Sequence, residues 1–118
     1  MTSTFASALL RSRELQLSTV GRKTGHESTR PVWFVERAGT LYLWPGYGHE
    51  SQWYQNVLKT PTIRLSAGEA AQSARATPIT DPSEVATVVE AFRDKYGSRD
   101  IARLYPKHEV AVQVHAVA

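Results

Sequence analysis

From Arg13 to Val20 the chain alternates: Leu15, Leu17 and Thr19 fall on one side, Glu14, Gln16 and Ser18 on the other. That is the period of a half-buried strand, not of a helix. A second β-rich run follows over 28–37, and between the two lies Val20-Gly21-Arg22-Lys23-Thr24-Gly25. Two glycines here bracket two cations and a hydroxyl, so backbone N–H groups and positive side chains can converge on one anion. The stretch reads as the phosphate-holding loop of a cofactor site.

The run 28–37 connects through Glu36-Arg37-Ala38-Gly39 to Thr40-Leu41-Tyr42-Leu43-Trp44, a hairpin pattern. Val32 and Phe34 point one way and Trp33 and Val35 the other. Both faces are therefore expected to be covered, by core on one side and by a ligand or second subunit on the other. Pro45-Gly46-Tyr47-Gly48-His49 reads as a loop, and Ser51 to Lys59 as a short helix closed by Pro61. Strands are expected over 62–67 and 71–77, with a turn at Gly68-Glu69.

The strongest helix signal spans 82–96: Asp81 as cap, Pro82 in the first turn, Glu84 in capping-box position and Gly97 after the end. Val85, Val88, Val89, Phe92 and Tyr96 make its buried stripe. A short helical turn over 100–105 and a final strand over 109–117 complete the chain, and residues 2–11 read as a short helical or loose lead-in. Strands and helices do not alternate regularly, which disfavours a doubly wound parallel sheet. A mainly β fold is predicted, an antiparallel barrel of about six strands with two or three short helices.

At 118 residues the chain fits a single domain, 1–118, able to bury one core without disulfides. The absence of cysteine excludes a disulfide framework, a thiolate zinc site and a thiol nucleophile. Neither a signal peptide nor a membrane-length apolar run is visible, so a soluble cytoplasmic protein is expected. The formal net charge of +3 gathers partly at Arg11, Arg13, Arg22, Lys23 and Arg30, while acidic residues dominate 81–100. That asymmetry suits a small anionic ligand and is too weak for nucleic acid.

Several catalytic signatures fail on reading. Arg22 stands where a P-loop needs glycine before its lysine, and Ser51 occupies the third glycine position of a dinucleotide fingerprint beginning at Gly46. His26, His49, His108 and His115 lack metal-ligand spacing, so no metal site is expected. No serine sits in a G-x-S-x-G elbow. Redox or transfer chemistry would have to come from a bound cofactor.

Leu17-Ser18-Thr19-Val20-Gly21-Arg22-Lys23-Thr24-Gly25, then Arg30-Pro31-Val32-Trp33-Phe34-Val35, then Trp53-Tyr54-Gln55-Asn56-Val57-Leu58 before Pro61 together resemble the deazaflavin-dependent nitroreductase/quinone reductase family. The likeness runs over roughly residues 13 to 117. It implies a split β-barrel of the flavin-binding superfamily, commonly a homodimer. Such a protein uses reduced coenzyme F420 to give hydride to a quinone, nitroaromatic or enone.

By that resemblance Gly21, Arg22, Lys23, Thr24 and Gly25 hold the phosphate and glutamyl tail, with Arg30 beside them. Pro31, Val32 and Trp33 lie along the ring, Gly46, Tyr47, Gly48 and Ser51 wrap it, and Trp53 and Asn56 brace the wrapping loop. No catalytic side chain is assigned with certainty; Tyr47, Tyr96 and Tyr105 are candidates for an acceptor pocket, whereas Trp44 and Tyr54 read as packing residues. The chain departs from the family pattern at Ser28, where an arginine is frequent, and in the loop 45–50, where a lysine is frequent. Those departures leave FMN, or a non-catalytic binding role on the same barrel, as alternatives.

Overall fold

The computed structural model describes residues 12–37 and 40–116. The predicted lead-in over 2–11, the turn residues 38 and 39, and position 117 of the final strand lie outside them. Six strands form a closed antiparallel barrel: β1 (Glu14–Val20), β2 (Glu27–Arg37), β3 (Thr40–Leu43), β4 (Thr62–Ala67), β5 (Ala70–Ile79) and β6 (Ala111–Ala116). Three α-helices accompany them: α1 (Gln52–Lys59), α2 (Pro82–Tyr96) and α3 (Ser98–Leu104), with a 3-10 turn at Gly48–Glu50.

The strand order around the barrel is β1-β2-β3-β6-β5-β4, closing because β1 pairs with both β2 and β4. Gln16 opposite Ser66 and Leu17 opposite Leu65 make that closing seam, which leaves the sheet without an open end strand. Alternation delivers Leu15, Leu17, Phe34, Leu41, Leu43, Ile63, Leu65, Val112 and Val114 to the interior. Trp53, Tyr54 and Val57 of α1 join the same cluster. Thr60, in extended conformation, and Pro61 then end α1.

α2 forms as the capping pattern predicts: the Asp81 carboxylate accepts from the Glu84 backbone N–H at 3.1 Å, and Gly97 at φ 95° ends the helix. Its stripe of Val85, Val88, Val89, Phe92 and Tyr96 packs with Ile101 of α3 against Val35, Trp44, Ile79 and Ala111. This corrects the expectation for the second face of β2. Around Val35 it is covered by the chain's own α2 and α3, because the helix stripe is complementary to it; only the Trp33 end faces a cleft. β5 runs on to Ile79, since Thr77, Pro78 and Ile79 continue the ladder against Gln113, Val112 and Ala111.

Candidate functional site

β2 is longer than its neighbour. It pairs with β1 from Trp33 back to Glu27, but with β3 only from Phe34 to Arg37. The stretch Glu27 to Trp33 therefore has a strand on one side only, and the chain after β3 veers away at Trp44-Pro45. A cleft of about 510 Å³ opens in the gap, within the size range of small-molecule sites. Arg30, Pro31, Val32 and Trp33 line one wall, with Glu14 beside them. Trp44, Gly46, Tyr47, Glu50, Ser51, Gln52 and Trp53 line the other, and Leu104 and Tyr105 close it.

The aromatic wall is braced from behind. Trp33 stacks on Tyr96 with ring centroids 4.1 Å apart and planes 7° from parallel, and Tyr105 sits 5.8 Å from Trp33 and 4.7 Å from Trp44. The Tyr96 hydroxyl accepts from the Phe34 N–H at 3.0 Å and lies 2.6 Å from the Arg13 carbonyl and 2.8 Å from the Phe34 carbonyl, either of which can take its proton. The Arg13 guanidinium lies over both rings, 5.4 Å from the Trp33 centroid and 5.0 Å from that of Tyr96.

Burial pushes the phenol of Tyr105 up to about 12, the nearby Tyr96 adding to the rise while the Trp33 backbone N–H and Arg30 oppose it. Burial likewise raises Tyr96 to about 12, against the Phe34 N–H and Arg13. Both phenols keep their protons at neutral pH; that of Tyr96 is donated to a backbone carbonyl, and Tyr105 retains one it can donate.

The glycine loop is tied to α1 by a clamp. The Asn56 Oδ1 accepts from the Arg22 backbone N–H at 3.2 Å and from Arg22 Nη1 at 2.9 Å, while Asn56 Nδ2 donates to Thr19 Oγ1 at 3.2 Å. Arg22 Nη2 donates to Gln52 Oε1 at 2.8 Å, and Lys59 Nζ to the Arg22 carbonyl at 2.9 Å. Within the loop the Gly21 N–H donates to the His26 carbonyl, the Gly25 N–H to the Gly21 carbonyl, and the His26 N–H to Thr24 Oγ1. Lys23 projects into solvent at the tip.

The loop 45–51 is fixed from the opposite direction. Glu109 Oε1 accepts from the His49 N–H and pairs with His49 Nδ1, each at 3.1 Å, and these contacts hold the Glu109 carboxyl below its usual range. Gly48 has φ 64°, and a Cβ there would run into the Glu109 carboxylate. Ser51 Oγ accepts from the Tyr47 N–H at 3.2 Å.

Of the residues singled out in sequence, Arg30, Pro31, Val32, Trp33, Gly46, Tyr47, Ser51, Trp53 and Tyr105 are brought together in the cleft lining. Gly21, Arg22, Lys23, Thr24 and Gly25 lie just outside it, linked to it through the Arg22–Gln52 contact. Gly48 lies against Glu109 behind the wall, and Tyr96 lies beneath Trp33. Asn56, expected to brace the wrapping loop, instead braces the glycine loop, because its carboxamide is taken up by Arg22 and Thr19. Trp44, read in sequence as a packing residue, is buried in the α2 core cluster and also lines the cleft. Glu14, Glu50, Gln52 and Leu104 complete the lining without having been singled out. Only Gln52 carried a usable signal, its place on the same helical turn as Trp53 and Asn56. Among the described residues no group of three or more histidine or acidic side chains is placed to hold a metal ion.

Fold and cleft together define a split β-barrel with an aromatic-lined cleft. A family profile described as "Uncharacterized protein conserved in bacteria (DUF2255)" matches residues 7–115, and the chain belongs to this family. A search of curated proteins finds no match. Solved structures share the fold at low identity. The conserved hypothetical protein Rv2991 from Mycobacterium tuberculosis is similar at TM-score 0.73 and 18% identity, over 100% of this chain and 82% of that one. An F420-H2 dependent reductase (FDR-A) is similar at TM-score 0.67 and 18% identity, over 87% and 94%. HutZ, a haem storage protein from Vibrio cholerae, is similar at TM-score 0.74 and 16% identity, over 95% and 87%.

Proposed function

We propose that the cleft binds a planar tricyclic redox cofactor, coenzyme F420 with FMN as the alternative, and that the protein is a reductase of electron-poor acceptors such as quinones, nitroaromatics or enones. The observation that carries this reading is the aromatic-walled cleft at the unpaired edge of β2. Trp33, Trp44, Trp53, Tyr105 and Val32 supply flat apolar surface suited to a ring system, and Arg30 supplies a cation at its side. The fold shared with an F420-H2 dependent reductase supports the same reading. When bound, such a cofactor supplies hydride.

The chain's own residues bind, orient and exclude water. Trp33, held flat by Tyr96, fixes the plane of the site. Tyr105 keeps its proton and can donate a hydrogen bond to a carbonyl or nitro oxygen. Lys23 and Arg22 supply positive field for an anionic tail, Arg22 from within its clamp, and a homodimer is part of the proposal. Haem is less well served, since among the described residues no histidine lines the cleft.

Titration of the purified protein with F420 should quench deazaflavin and tryptophan fluorescence, and anaerobic reduced F420 should be consumed on adding menadione. Combined Arg22→Ala and Lys23→Ala should weaken F420 binding severalfold or more, charge-assisted contacts contributing about 1.5–3 kcal/mol each. If neither F420 nor FMN changes any signal, the reading fails. Binding without reduction of any quinone, nitro or enone acceptor would favour a non-catalytic binding protein.

A further inference from the structure

We propose that Gln52 is a hydrogen-bond donor to an acceptor oxygen of the bound ligand, and that Arg22 is the positioning residue that fixes which end of its carboxamide faces the cleft. Gln52 lines the cleft at the first turn of α1 and is exposed there. Its side-chain oxygen lies 2.8 Å from Arg22 Nη2. A guanidinium has donors only, so the group facing it must be the oxygen, whatever rotation of the amide is considered. The two N–H bonds of Gln52 Nε2 therefore point away from Arg22 and, among the described residues, meet no recorded partner. The amide becomes a donor of fixed polarity on a wall that also carries the Glu50 carboxylate, with Glu14 on the wall opposite.

Arg22 is itself held. Its Nη1 donates to Asn56 Oδ1 at 2.9 Å and to the Gln52 carbonyl at 3.5 Å, so the guanidinium bridges two successive turns of α1. A free glutamine at this place would present oxygen or nitrogen with equal ease. The bridged one presents nitrogen, which selects ligand atoms that accept: a ring carbonyl, a nitro oxygen or a phosphate oxygen. The inference rests on the F420 or FMN reading for the occupant of the cleft.

Gln52→Glu separates the ligand role from a structural one. It keeps an oxygen for Arg22, now as an ion pair, and removes the donor. A merely structural Gln52 predicts unchanged or higher thermal stability and unchanged binding; the proposed role predicts unchanged or higher stability with F420 or FMN dissociation constants raised at least about fivefold. Gln52→Ala should weaken binding with little loss of melting temperature. Arg22→Met should also weaken it, and should weaken it less in the Gln52→Ala background, because part of its effect is exerted through the amide.

Wild-type and Gln52→Glu proteins binding equally, with matched melting temperatures, would overturn this inference and leave the proposed function standing. A wild-type protein that binds neither cofactor would overturn both. A full, undiminished Arg22→Met effect in the Gln52→Ala background would overturn the positioning role of Arg22.

Discussion

Asn56 and Arg22 are joined twice: one carboxamide oxygen accepts from both the backbone N–H and the guanidinium of the arginine. The pair welds the β1–β2 turn to α1 and makes one physical unit of two sequence patterns 34 residues apart.

Replacing Asn56 by Leu should therefore be costly out of proportion to its size. Thr19, the Arg22 N–H and the Arg22 guanidinium all lose a partner in a site where Asn56 and Thr19 are buried. Loss of about 2–4 kcal/mol is expected, each unsatisfied group contributing about 1–3 kcal/mol. Urea unfolding of the variant checks it, and a change below about 1 kcal/mol would show that water replaces the clamp.

Tyr96→Phe removes the hydroxyl that accepts from the Phe34 N–H and lies against the Arg13 carbonyl. Stability should fall by about 1–3 kcal/mol, while the Trp33 stacking partner remains aromatic. Ultraviolet titration should show wild-type Tyr96 and Tyr105 ionising only near about 12, and the Phe variant should lose one of these late transitions.

Lys95 gives a pH dependence of definite sign. Its Nζ donates to the Phe34 carbonyl at 2.8 Å and lies 3.5 Å from the Phe34 ring centroid. Burial first, then Arg13 and Arg37, lowers it from 10.5 to about 8. Between those values the unfolded chain binds more protons than the folded one, so the Lys95 contribution makes stability rise with pH there. The charged ammonium's penalty is fully present below about 8 and is relieved as pH climbs toward 10.5. The two tyrosines act oppositely above 10.0, where the folded state holds protons that the unfolded state has lost. Urea midpoints followed across this range should rise before they fall in wild type, and the rise should shrink in Lys95→Met.

Gly48→Ala tests the opposite wall of the cleft. The methyl group would meet the Glu109 carboxylate while forcing a side chain into positive φ, so the His49–Glu109 contacts should break. A loss of about 1–3 kcal/mol is expected, together with weaker binding of F420 or FMN. Gly48→Ala combined with Glu109→Ala relieves the steric part and should recover part of the stability. No recovery would place the whole cost in the backbone.

Much of the barrel was readable because its strands are half-buried and alternate: Leu15 and Leu17 on β1, Ile63 and Leu65 on β4. α2 was readable because Asp81, Pro82 and Gly97 mark both ends. The closure of β1 onto β4 was not, since nothing local to Gln16 or Ser66 names its partner. The cleft lining was legible where residues are adjacent, from Arg30 to Trp33, and through the family resemblance at Gly46, Tyr47, Ser51 and Trp53; it was illegible where packing alone brings a residue in. Glu14 and Leu104 enter the cleft only because of how β1 and α3 are packed. Arg22 looked like a free cation in sequence; its hydrogen bonds to Asn56 and Gln52 exist only once α1 folds beside the turn.

Pro31 sits midway along the part of β2 that has a strand on one side only. The Phe34 N–H turns to the Tyr96 hydroxyl beside Arg13, on the β1 side of the strand, so alternation sends the backbone nitrogens of Trp33 and Pro31 to the side away from β1. The Pro31 nitrogen carries no hydrogen. A passing extended chain that tried to zip onto the exposed margin would find a missing rung at Pro31 and the Tyr105 ring packed against Trp33 at the next residue on that side. The barrel can thus leave a margin open wide enough for a small molecule and still resist aggregation by strand addition.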